Sequence, residues 1–131
     1  MGGYGALTLA LRYPDVYSAA ASHSGVLAPL FAGPRPLAES APAERVRWAP
    51  SVDSLRTLYG GYWTTLPLAM GRDTAAWWAR DPARLAARAQ RERPALLPAL
   101  FVDVGTGDVL LGQNRAFRAT AGALGVPLEY R

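Results

Sequence analysis

Three observations on this sequence predict an α/β fold, with short parallel strands covered by helices. Residues 16–21 and 98–104 form two short apolar runs without the alternation of a half-exposed sheet, so each reads as a buried strand. Each run gives way to a turn-rich stretch, Ser22-His23-Ser24-Gly25 after the first and Gly105-Thr106-Gly107-Asp108 after the second. Before, between and after these runs lie segments whose apolar residues recur at helical spacing.

The first of those segments opens the chain: Met1-Gly2-Gly3-Tyr4-Gly5-Ala6-Leu7-Thr8-Leu9-Ala10-Leu11. Small residues come first, then an almost wholly apolar helical run that Pro14 stops. A helix apolar all round is expected to be packed on both sides. Glycines at its mouth let other backbones come close. The strand over 16–21 follows. Ser22-His23-Ser24-Gly25 then falls where a parallel strand reaches its carboxyl edge, where ligands gather in open α/β sheets. His23 is the only histidine. It reads as a hydrogen-bonded wall of a site rather than as a general base. Ser22 and Ser24 lack the flanking glycines of a nucleophile elbow and read as strand-end or turn residues.

From residue 28 to about residue 80 the character changes. Prolines at 29, 34, 36, 42, 50 and 67 break any long element. All four tryptophans lie here, at Trp48, Trp63, Trp77 and Trp78, with Tyr59 and Tyr62 beside Gly60-Gly61. A long connection without strong periodicity is often a lid. Its aromatics suit either a pocket lining or the packing of a small helical unit. Asp81-Pro82 then starts a helix, an N-cap followed by proline at the first position. Leu85, Ala86 and Ala89 share one face of it, and it should end before Pro94.

In the strand over 98–104, Asp103 sits among apolar residues and is expected to be buried without obvious partners. Asp108 follows two turn glycines, which leaves its carboxylate free to reach a neighbouring ring or to cap the next helix. That helix, 113–123, turns Phe117, Ala121 and Leu124 inward and is capped by Gly125. A last strand begins at residue 126.

Composition excludes several function classes. Apolar residues make up 50% of the chain, too many for a disordered polymer. Zero cysteines exclude disulfides, zinc-thiolate sites and a cysteine nucleophile within these residues. No apolar run approaches the ~18 residues of a membrane span. The opening residues also lack the basic stretch of a secretory signal. A net charge of +4 invites a nucleic-acid reading, but every basic residue is an arginine and acidic residues interrupt the series. Arg80, Arg84, Arg88 and Arg91 share a helical face and read as its solvated outer side. No nucleic-acid partner is expected.

Met1-Gly2-Gly3-Tyr4-Gly5-Ala6-Leu7, Arg12-Tyr13-Pro14-Asp15 and Ser22-His23-Ser24-Gly25 resemble, in that order, an esterase family of α/β-hydrolases. That family includes S-formylglutathione hydrolases of the esterase D type and the antigen 85 mycolyltransferases. The resemblance covers roughly residues 1–25 and again 99–118, and is loose between them. The family's elbow typically reads G-x-S-M-G-G-x-x-A. On that register Gly2 is the closing glycine, and a nucleophilic serine would directly precede Met1.

The resemblance implies a partial α/β-hydrolase fold: C-terminal parallel strands, flanking helices and a helical cap insertion over 28–80. It makes Asp108 the triad acid, from a pattern like D-x-G-x-x-D that Asp103, Gly105 and Asp108 match, with Asp103 supporting the turn. Met1 would give its backbone N–H to the oxyanion hole of the parent enzyme, and His23 and Trp63 would contact substrate. The triad histidine would follow the strand that begins at residue 126. The implied partner is a small ester or thioester; no metal or organic cofactor is implied. The implied function is that of a serine carboxylesterase or thioesterase fragment, inactive as it stands. Transfer of the acyl group to a sugar or lipid hydroxyl, as in antigen 85, and a non-catalytic α/β binding or scaffold domain are the alternatives.

Overall fold

The computed structural model describes residues 1–33, 37–59 and 65–131. In chain order the elements are α1 (Gly2–Arg12), β1 (Ala19–His23), α2 (Val52–Tyr59), α3 (Thr65–Met70), α4 (Thr74–Trp78), α5 (Pro82–Glu92), β2 (Ala99–Asp103), α6 (Leu111–Ala123) and β3 (Leu128–Tyr130). Tyr13 leaves the helical region one residue ahead of Pro14, which ends α1. The prolines of residues 28–80 leave only short helices there. The expected contact residue Trp63 lies outside the described residues, as does Tyr62.

The three strands form one parallel sheet in the order β1-β2-β3. Ala19 stands opposite Ala99 and His23 opposite Asp103, so the carboxyl ends of β1 and β2 lie level. Helices α1, α5 and α6 cover one face. There Leu7 and Leu11, Leu85 and Ala86, Leu100 and Val102, and Phe117 and Ala121 make a single core. A second core under α2–α4 centres on Trp77, with Val26, Leu30 and Leu110. An antiparallel bridge between Phe31 and Trp48 ties the start of that segment to its middle.

Two expectations need correction. The first strand begins at Ala19, not at residue 16; Val16 and Tyr17 are exposed and belong to the connection. Helix α1 buries Leu7, Ala10 and Leu11, but Leu9 is 46% exposed, so among the described residues the helix is packed on one side only. The opposite sheet face is likewise open. Ala19, Ala21 and Ala99 are exposed there and border a shallow depression of about 530 Å³.

Of the glycines at the mouth of α1, Gly3 has the close-approach role expected of them, whereas a Cβ on Gly2 or Gly5 would meet nothing within 4 Å among the described residues. Gly3 and Gly25 press on Ser22, which is fully buried. A Cβ on either glycine would collide with Ser22 Oγ, and one on Gly25 would also lie 3.2 Å from the Gly3 carbonyl carbon. Gly25→Ala is therefore expected to cost about 1–3 kcal/mol by overpacking. Urea melting checks this, and Ser22→Gly in the same chain should return part of the loss.

Asp81 caps α5 as its sequence position predicts, accepting from the Arg84 N–H at 3.0 Å. Pro82 takes the first helical position. The residue is completely buried and, among the described residues, its second carboxylate oxygen has no partner. Burial pushes its pKa from 3.8 up to about 7, against the smaller pull of the Arg84 and Ala83 N–H groups. Because the folded value is the raised one, the folded state holds this proton where the unfolded chain has released it. Stability is thus expected to fall as pH rises between about 4 and 7, by on the order of a few kcal/mol. Asp81→Asn keeps a capping oxygen and removes the charge. Urea melts from pH 4 to 8 should show a flatter profile for that variant and a gain at pH 8.

Candidate active site at the carboxyl edge of the sheet

Level strand ends place the two turn-rich stretches side by side. His23 Nδ1 lies 2.9 Å from both Asp103 Oδ1 and Oδ2. A carboxylate only accepts, so the ring nitrogen carries the proton. The His23 side chain is 74% exposed and that of Asp103 38%, so the expectation of a buried, partnerless Asp103 is corrected. Its position at the last residue of β2 gives the carboxylate access to solvent and to His23. The His23 ring also meets Phe101, at 5.9 Å between centroids. Ser24 then turns the chain with φ 48°, the non-glycine residue in the left-handed region among those described. Its N–H donates to the Asp103 carbonyl at 2.9 Å, which carries the pairing past the strand ends.

Asp108 lies on the turn after β2. Its N–H donates to the Gly105 carbonyl at 3.0 Å, closing a turn over the two glycines. Its Oδ1 accepts from the Leu110 N–H at 2.7 Å. That bond has the short length of a charge-assisted contact and leads directly into α6. Asp108 does not cap α6, whose N-cap is Leu110 without a side-chain cap; its Oδ1 closes a local turn onto the N–H two residues on. Met1 stands at the N-cap of α1, where no side chain caps the helix, and its carbonyl accepts from the Gly5 N–H at 3.0 Å. The first N–H groups of α1 are oriented out of that end, as at any helix start.

Neighbouring aromatic and cationic groups serve packing. Trp77 is completely buried, and its Nε1–H donates to the Gly71 carbonyl at 2.9 Å. Trp48 and Trp78 meet edge to face, and the Arg84 guanidinium stacks 3.5 Å from the Trp78 ring centroid. In the arginine row Arg84 and Arg88 are exposed, and Arg88 pairs with Glu92 on the same helix. Among the described residues, a cavity of about 470 Å³ near the proline-rich segment is lined by residues of 37–47 and by no tryptophan.

Two residues here are not evident from the sequence. Ser22, expected at a strand end or turn, is buried inside the α1–β1 contact. Asn114, on α6, is also completely buried. Its signal is its place on the stripe of Phe117 and Ala121, at i, i+3 and i+7, where a polar side chain needs a partner.

Parallel strands joined through helices, with a glycine turn bearing an acid at a strand's carboxyl end, define an α/β protein, a class in which ligands bind at that edge as a rule. The sequence matches the family described as putative esterase over residues 1–125, and the chain belongs to this esterase family of α/β-hydrolases. A search of curated proteins found no match. No helix among the described residues is long and apolar enough to cross a membrane.

Proposed function

We propose that the chain is the C-terminal portion of a serine esterase that cleaves a small ester or thioester through an acyl-enzyme. In this reading the serine directly precedes Met1, and residues 28–80 form the cap. Its Oγ attacks the substrate carbonyl while the triad histidine takes its proton; the alcohol or thiol leaves with that proton, and water then releases the acid. The Met1 N–H contributes to the oxyanion hole. Asp108 fixes the histidine tautomer and stabilises the imidazolium that forms.

The observation that carries this reading is the environment of Asp108 in a chain of this family. One oxygen is held by the Leu110 N–H, which aims the carboxylate and leaves the other oxygen for a ring. Asp103 by contrast has both oxygens turned to His23.

Residues 1–131 alone are expected not to turn over p-nitrophenyl acetate above a Ser22→Ala, Ser24→Ala control. Ser22 is buried and Ser24 sits on no elbow. A fluorophosphonate adduct on Ser22 or Ser24 would overturn this. In the completed enzyme the adduct should form on the serine before Met1, and a supplied alcohol should leave free acid as the main product. Dominant transfer to that alcohol would instead indicate an acyltransferase.

A further inference from the structure

The fully buried Asn114 connects two parts of the candidate site that are far apart in sequence. Its Nδ2 donates to the Gly25 carbonyl at 2.9 Å, across 89 positions, and to the Leu110 carbonyl at 3.0 Å. Both partners are carbonyl oxygens, which only accept, so the amide nitrogen must face them, and its two hydrogens suffice for both. Leu110 is the residue whose N–H holds Asp108 Oδ1. Gly25 is the residue that presses on Ser22 and on Gly3 in the first turn of α1. The path therefore runs from the Asp108 carboxylate through Leu110 and Asn114 to Gly25, and so to the helix mouth.

We propose that Asn114 is a positioning residue for the acid, clamping the Asp108 turn to the loop after β1 and thereby to the mouth of α1. This rests on the assignment of Asp108 above. The clamp has a physical reason to be an amide. Gly25 is buried, so its carbonyl needs a donor from within the protein. An apolar side chain of the same size would fill the space and leave that oxygen bare. Glycine turns such as 105–107 have many accessible conformations, and a misplacement of about 1 Å at a reacting group can cost about 10²-fold in rate. A fixed point at Leu110, two residues past Asp108, restricts that freedom.

The test uses two near-isosteric variants of the 131-residue chain, Asn114→Leu and Asn114→Asp, so that one remains if the other does not fold. Amide hydrogen exchange is followed residue by residue. The Leu110 amide should exchange about fivefold to tenfold faster in the variants, as expected when a net hydrogen bond is lost, while Leu100 and Val102 in β2 stay within about twofold. Its proton resonance should also move upfield as the short bond to Asp108 lengthens. Leu110 exchange that is unchanged, or that rises only in step with the β2 amides, would show Asn114 to be core filling and overturn the proposal. In the completed enzyme, Asn114→Leu should lower kcat by about 10- to 100-fold at nearly constant KM. If Asp108→Asn leaves kcat intact, the acid assignment falls, whatever Leu110 exchange shows. If Asp108→Asn abolishes turnover while Asn114→Leu changes neither kcat nor Leu110 exchange, the positioning role alone falls.

Discussion

On the role proposed for Asp108, Asp108→Asn in a chain supplied with the serine and histidine of that proposal is expected to lower kcat by about 10⁴-fold, the loss seen when a triad acid is neutralised and the histidine adopts the wrong tautomer. Asp103→Asn should lower it far less. Asp103 already has a partner in His23, and both side chains are substantially exposed. An exposed pair of this kind contributes about 0–1 kcal/mol, so the variant should melt within that range of the native chain. Asp108 has one oxygen fixed by the Leu110 N–H, and the amide that replaces its carboxylate can keep that bond while the charge is lost. Measuring kcat together with thermal melting for both variants separates chemistry from folding. The opposite ranking in kcat, with both proteins folded, would move the acid to Asp103.

Trp77→Ala should cost about 3–5 kcal/mol, the range for deleting a large buried aromatic. Trp77 is completely buried in the second core, a cluster that also holds Val26 from the loop after β1 and Leu110 from the loop after β2. Its indole N–H is bonded to Gly71, itself in the left-handed region at φ 78°. Trp77→Phe keeps most of the packing and loses the hydrogen bond, so a smaller loss of about 1–2 kcal/mol is expected. Urea melting of the two variants decides between the two roles considered for these aromatics. Near-native stability of Trp77→Ala would assign the ring to a pocket wall instead of the core.

What is legible in the sequence is whatever local chemistry determines. Asp81-Pro82 marks the start of α5 and Gly125, at φ 66°, the end of α6, because caps are specified within a few residues. The apolar run at 98–104 locates β2, since few other elements suit so short a buried stretch. The first strand begins three residues later than its apolar run. Val16 and Tyr17 have higher strand propensity than the alanines of β1, but pairing with β2, not propensity, selects Ala19–His23. The His23–Asp103 contact spans 80 positions and arises from the register between two strands, which no local pattern encodes. The same holds for Ser22, whose burial depends on two glycines on different elements.

The His23–Asp103 contact also makes the protein its own gauge of strand alignment. With one imidazole in the whole sequence, a ¹⁵N spectrum contains a single histidine ring. In its neutral form that ring must keep the proton on Nδ1 to donate to Asp103, and Nε2 is left bare. A slip of β1 by one residue against β2 would turn every side chain of the strand to the opposite face and take the ring away from its carboxylate. The tautomer would then be free to change. One pair of nitrogen resonances therefore reports, without any introduced label, whether the ends of β1 and β2 are in step.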